Sequence, residues 1–139
     1  MSLFAVFGIT GSGMAAESER LSAVASNMAN ASSAVASSGQ PYKAREVVFE
    51  PVSAGDGEER PSGLGMAGVK VAGVVESSAP MQSVYDPGNT FADEKGYVQM
   101  PNVNPVDEMV NMISAQQNYQ ADLEAFNVAK TLALRTLSI

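Results

Sequence analysis

The chain has 139 residues, a formal charge of −7 and a pI near 4.4, with no Cys and no His. The acidic balance argues against a nucleic-acid binder, which needs a basic stripe to neutralise phosphates. The lack of Cys and His removes disulfides, thiol and imidazole nucleophiles, and the usual zinc and haem ligands. Aromatics are 6% and Trp is absent, so helix-on-helix packing through Ala, Val, Leu and Met is expected rather than a large globular core.

Residues 1–31 carry a seven-residue apolar track, Phe7, Met14, Leu21 and Met28, with Val24 and Ala31 three residues after the last two. This spacing predicts a helix with one narrow seam. Gly8, Gly11 and Gly13 each cost up to about 1 kcal/mol inside a helix, so the first dozen residues are expected to be its weaker half, ordered on assembly. The end is expected near Asn30, with Asn as a left-handed C-cap. No Lys or Arg precedes Arg20, so a positively charged signal-peptide start is not apparent. No apolar run approaches the roughly 20 residues of a membrane span.

Every proline falls between Pro41 and Pro105, and the glycines other than those three lie within 39–96. The chain therefore reads as helix, irregular or β middle, helix. Tyr42–Glu50 is rich in β formers and predicts a strand; alternating Val69, Val71 and Val75 predict a second strand paired with it. Ser53–Gly65, small, charged and broken by Gly and Pro, predicts a flexible loop tip. Asp86–Asn89 predicts a turn, and Glu94–Met100 a short hairpin arm. Such a β element is too small to be stable alone.

Residues 104–139 open with Asn104, Pro105, Asp107 and Glu108, and contain no Gly and no further Pro. An Asn cap, Pro in the first turn and early acids predict a helix start, and Lys130 and Arg135 suit its C-terminal dipole. One helix from Pro105 to about Leu137 would be about 50 Å long. Its predicted stripe is Met109, Met112, Gln116, Tyr119, Leu123, Phe126, Lys130, Ala133 and Leu137, apolar except at Gln116 and Lys130. A helix this long with one stripe needs a partner.

Candidate chemistry is sparse. Gly8–Gly13 has the look of a phosphate-binding glycine loop, but no βαβ context surrounds it, and a flexible helix start is the simpler reading. The carboxylates Asp56, Glu58, Glu59, Asp93 and Glu94 fall in predicted loops, where a solvated charge run is expected rather than acid–base work. The methionines Met14, Met28, Met109 and Met112 read as core, or as a binding groove if that core forms between subunits. The amides of Asn27, Asn30 and Gln120 read either as caps and surface groups or as register-fixing contacts to a neighbouring chain.

Three stretches carry a resemblance: Leu21–Asn30 (LSAVASNMAN), Gly39–Phe49 (GQPYKAREVVF) and Gly96–Val110 (GYVQMPNVNPVDEMV), the last running on to Ile113–Ala115 and Asn118–Ala121. Together they resemble the bacterial flagellar rod and hook proteins, above all those of the proximal rod. The resemblance covers nearly the whole chain except the 53–65 loop. It departs at Thr90-Phe91, where Pro-Leu is expected, and in the Ser/Ala-rich stretch 31–38.

The resemblance implies a structural, non-enzymatic subunit without cofactors, mainly α with a small β element. Residues 1–31 and 104–139 would pair as a coiled-coil-like hairpin forming one helical core domain. Residues 32–103 would supply a linker, the β element and the loop. Implied partners are copies of itself, other rod proteins, the inner-membrane MS ring with its adaptor, and the flagellar type III export apparatus. Export without a cleaved signal and a place in the basal-body rod across the periplasm follow from the same source, with no direct membrane insertion. The expected assembly surface is Phe7, Met14, Leu21, Val24, Asn27, Met28, Asn30, Met109, Met112, Ile113, Gln116, Tyr119, Leu123, Phe126 and Leu137. The alternatives are another short rod or hook-type protein, or a stand-alone coiled-coil module that captures an amphipathic helix.

Overall fold

The computed structural model describes residues 3–34, 40–53 and 66–138. The predicted 54–65 part of the loop lies outside the described residues, as do residues 35–38 of the Ser/Ala-rich stretch. Two long helices, α1 (Leu3–Asn30) and α2 (Pro105–Leu137), bracket four strands: β1 (Arg45–Ser53), β2 (Met66–Glu76), β3 (Gln82–Tyr85) and β4 (Tyr97–Met100).

The α2 boundaries follow from local chemistry. Asn104 Oδ1 accepts from the Val106 amide at 3.1 Å, and Asn104 Nδ2 donates to Asp107 Oδ2 at 2.8 Å. The cap thus satisfies one free helix donor and orients an acid over the positive end of the dipole.

The α1 helix runs unbroken through Gly8, Gly11 and Gly13, so the expected weak half is helical. Two hydroxyls fold back onto its own carbonyls, Thr10 Oγ1 to Val6 O at 2.9 Å and Ser12 Oγ to Ile9 O at 2.8 Å. Tertiary packing on two sides outweighs the glycine penalty. The helix ends at Asn30 as expected, but not by a left-handed cap. Among the described residues no non-glycine has positive φ. Instead Asn30 Nδ2 donates to Ser26 O, and Asn30 O accepts from the Ser33 amide.

The two helices lie side by side and antiparallel. Phe7 meets Phe126 edge to face at 4.9 Å between ring centroids, Asn118 Nδ2 donates to Glu17 Oε1 at 3.0 Å, and Asn27 Nδ2 donates to Glu108 Oε2 at 3.1 Å. The buried apolar residues are small, Ala16, Val24, Ala44, Val98, Val103, Ala115 and Ala129, which lets backbones approach closely.

Two separate two-stranded antiparallel sheets replace the single β element expected. β1 and β2 pair from Arg45–Glu76 to Ser53–Met66, with irregularities after Val48 and Val52. β1 starts three residues later than predicted because its entry is held by side chains instead of a ladder: the Ala44 amide donates to Asn102 Oδ1 at 2.7 Å. It also continues through Pro51, which a two-stranded ribbon tolerates on a free edge. This hairpin lies on α1, where Ser12 Oγ accepts from the Val69 amide at 3.1 Å.

β3 pairs with β4 from Gln82–Met100 to Tyr85–Tyr97. The sequence signalled β4 and the turn at Asp86, but Gln82–Tyr85 has no clear alternation and was not expected as a strand. The connection is closed by Gly96, whose φ of +81° is left-handed. A Cβ there would sit 2.9 Å from the Tyr85 ring. Asp93 is a turn builder: its Oδ1 accepts from the Lys95 and Tyr97 amides, which favours the reading without acid–base chemistry.

Candidate assembly interface

The expected interface residues divide into two groups. Val24 and Asn27 are buried, and Phe7, Met14, Leu21, Met28, Asn30, Met112, Tyr119 and Phe126 are partly covered within the chain. Met109, Ile113, Gln116, Leu123 and Leu137 are exposed.

That division corrects the phase of the α2 stripe. The buried or partly covered residues of α2 are Glu108, Asn111, Met112, Ser114, Ala115, Tyr119, Asp122, Phe126, Ala129 and Ala133, and all but Asn111 and Ser114 follow alternating steps of four and three. Four of the nine expected positions are there (Met112, Tyr119, Phe126, Ala133). Four others are displaced by one residue: Glu108, Ala115, Asp122 and Ala129 face inward where Met109, Gln116, Leu123 and Lys130 were expected, and the last, Leu137, is exposed. Small Ala115 and Ala129 allow close approach, and Glu108 and Asp122 find partners on α1 or lie against its glycines. The larger Met109 and Leu123 are thereby turned outward.

The outward side is itself apolar over the first two turns. Val106, Met109, Val110 and Ile113 are spaced i, i+3, i+4, i+7 and are 52–66% exposed, which makes a second stripe opposite the α1 contact. Val106 and Val110 did not appear among the expected residues. Their signal was the same helical spacing, masked by the longer seven-residue series. Farther along, Val128, Leu132, Leu134 and Leu137 are also exposed.

Asn27 is the organising polar residue. It is 1% exposed and makes four hydrogen bonds within the chain. Its Nδ2 donates to Arg45 O at 2.9 Å and to Glu108 Oε2, while its Oδ1 accepts from the Arg45 amide and the Tyr42 hydroxyl, both at 2.9 Å. A side-chain amide has two donor hydrogens and two acceptor lone pairs, so nothing remains for another subunit. Asn27 does fix register, but between α1, the start of β1 and the first turn of α2 of one chain, not with a neighbouring chain. Tyr42, whose ring also carries the Arg45 guanidinium at 5.7 Å from its centroid, belongs to this cluster.

A second asparagine clasp was not foreseen. Asn102 Oδ1 accepts from the Ala44 amide, and Asn102 Nδ2 donates to Ala79 O at 2.9 Å and Ser77 O at 3.3 Å. It ties the start of β1 and the chain leaving β2 to the segment that enters α2. The repeated Asn at 102 and 104 was the available signal, but only Asn104 has a role that local spacing reveals.

The site thus offers a rigid two-helix unit with an apolar outer stripe and no convergent catalytic set. Among the described residues no group of three or more Asp or Glu is arranged to hold a metal ion.

The family model described as "Flagellar basal body rod FlgEFG protein C-terminal" matches residues 94–139, which span β4 and α2. The chain is similar along its whole length to the flagellar basal-body rod protein FlgC of Salmonella typhimurium, at 50% identity over 139 residues and 98% of that protein. FlgC of Escherichia coli O6:H1 is 49% identical over the same span, and FlgC of Buchnera aphidicola from Acyrthosiphon pisum 40% over 141 residues, each covering 98% of the relative. The chain belongs to the FlgC family of flagellar basal-body rod proteins. It is accordingly a structural subunit of the basal-body rod and not an enzyme. Within this FlgC-family fold the terminal helices and the asparagine clasps form the framework, and the outer stripe of α2 is left exposed.

Proposed function

We propose that this FlgC-family subunit builds the proximal part of the rod through its paired terminal helices, using the outer stripe of α2 as its main contact with neighbouring subunits. α1 and α2 act as one helical core domain, with coiled-coil-like pairing supported by the alternating three- and four-residue spacing of the covered α2 residues. The stretch between them positions that domain. The neighbours are copies of this chain, other rod proteins and, at the base, the MS ring with its adaptor. Delivery is through the flagellar type III export apparatus, and the assembled tube carries torque across the periplasm. Head-to-tail contacts that propagate without closing suit such a tube.

The observation that supports this reading is the two-sidedness of α2. One side is occupied by α1 and the other presents Val106, Met109, Val110 and Ile113 to solvent. A contiguous exposed apolar stripe on a soluble subunit marks an interaction surface.

The test is Val110→Asp. Val110 is 62% exposed, so its replacement should change folding stability by no more than about 0.5 kcal/mol. Circular dichroism and thermal melting should be close to wild type, while swimming and recovery of rods in purified basal bodies should be lost. Normal swimming with normal rods would refute the role given to the stripe.

A further inference from the structure

The cleft between α1, α2 and the β1–β2 hairpin encloses about 480 Å³ and contains acidic groups that the fold leaves incompletely served. Glu17 is 8% exposed. Its Oε1 accepts from Asn118, but its Oε2 is buried without a hydrogen-bond donor. Arg20 approaches that oxygen only to 3.7 Å, beyond hydrogen-bonding distance. One turn away, Asp122 lies against Gly13 so closely that a Cβ at Gly13 would come within 3.0 Å of the Asp122 carboxyl carbon. Both carboxylates line the same cleft, with Phe49, Ile9 and Val69 as an apolar wall.

A buried carboxylate oxygen without a donor is costly, and Arg20 pairs only with Glu17, so Asp122 makes no ion pair among the described residues and the cleft lining carries two carboxylates and no cation. The missing group is a cation with N–H donors and an aliphatic stem that can lie on the apolar wall. An arginine fork fits that description.

The chain also carries unused cations. Lys43 pairs with Glu76 and Lys70 with Glu50. Arg45 and Lys95 also make no ion pair among the described residues, but Arg45 lies over the Tyr42 ring and Lys95 sits in the turn before β4; Lys130 and Arg135 are exposed and likewise unpaired there. Both lie on the part of α2 that continues past Phe126, the residue opposite Phe7 near the start of α1. Arg135 is thirteen residues beyond Asp122 on one rigid helix, about 20 Å away. It cannot fold back into its own cleft.

We propose that the Glu17–Asp122 cleft receives the basic α2 end of a second copy of this chain, with Arg135 as the inserted cation. The contact is heterologous, mid-helix cleft to helix end, and therefore propagates along an assembly rather than closing a dimer. It deepens the assembly reading above and rests on it.

The experiment exploits the absence of native cysteine. Two differently tagged copies, one carrying Ala121→Cys at the exposed rim of the cleft and the other Thr136→Cys beside Arg135, both keeping Asp122 and Arg135, are co-expressed and treated with a short bismaleimide in purified basal bodies. A mixed-tag cross-link is expected there and not in the unassembled protein. In parallel, Asp122→Arg and Arg135→Asp should each lower swarm expansion by about tenfold or more, the scale of losing one buried charge pair. The double reversal should recover it.

Absence of the mixed cross-link, or cross-linking of Ala121→Cys to a different rod protein instead, would overturn the proposal, as would normal swarming of the single reversals. If Val110→Asp abolishes rods while the cross-link is missing, only this contact fails. If Val110→Asp leaves rods intact, the reading beneath it fails.

Discussion

Asn27 shows how one residue can set the relation of three elements. Removing its amide takes from the Arg45 amide and carbonyl and from the Glu108 carboxylate the partner made in the fold, and leaves the Tyr42 hydroxyl with Ser26 Oγ at 3.2 Å. Asn27→Ala should lower stability by about 3 kcal/mol, since unpaired buried groups cost more than a net hydrogen bond contributes; urea denaturation of the purified protein checks this. The glycines give a matched contrast. A Cβ at Gly8 or Gly11 meets nothing within 4 Å, so alanine at either should stabilise α1 by up to about 1 kcal/mol through helix propensity alone. Gly68 has φ +155°, and a Cβ there would strike the Ser12 side chain on α1. Gly68→Ala should destabilise by about 1–3 kcal/mol through backbone strain and overpacking. Thermal melting of the three variants should therefore order them Gly8→Ala and Gly11→Ala above wild type, and Gly68→Ala below.

At the scale of elements, α2 is a helix with two apolar sides, and the two should respond differently to the same insult. Leu123 is exposed at the margin of the α1 contact, whereas Ala115 is fully buried on that contact. Leu123→Asp should leave the helical circular dichroism nearly unchanged yet block rod assembly. Ala115→Asp should lose helicity and cooperative melting, because a charge and three extra heavy atoms enter a close helix–helix contact. If both variants behaved alike in solution, the assignment of inner and outer sides would be wrong. The β elements have a different logic. Neither two-stranded sheet is self-sufficient; β1–β2 is held on α1 through Ser12 and Asn27, and the approach to α2 is held by Asn102. The exposed ion pairs Lys43–Glu76 and Lys70–Glu50, at 3.6 and 3.3 Å, contribute little beside these.

At the scale of the molecule, cover is uneven along the helical pair. From Lys130 onward only Ala133 is partly covered among the described residues of α2; the others are exposed. In the isolated chain this end should exchange its amide hydrogens much faster than residues 115–129, and proteolysis should trim it first. Hydrogen-exchange mass spectrometry on free subunit and on basal bodies should show protection appearing at 130–137 only after assembly. Equal protection in both would mean that the end needs no neighbour. Protection gained only on assembly would fit the export proposed above, since the ordering cost would be met at the site of polymerisation.

The sequence by itself determined the helix limits, the antiparallel β1–β2 pair and the lack of catalytic chemistry. These depend on local rules: an Asn cap before Pro105, proline confined to 41–105 with most glycine in 39–96, strand alternation, and residue types that are simply absent. Family membership was legible for the same reason, in long ordered stretches. Only the tertiary structure decided which side of α2 faces α1. Neighbouring helical positions differ by about 100° in direction, and α2 carries apolar side chains on both sides. A choice between Met109 and Glu108, or Leu123 and Asp122, therefore turned on partners far away in the chain. Glu108 is drawn inward by Asn27, 81 residues earlier, and Asp122 fits inward because Gly13 has no side chain. Those are long-range fits of shape and hydrogen bonding, and they leave the larger apolar residues outside, where a neighbouring subunit can cover them.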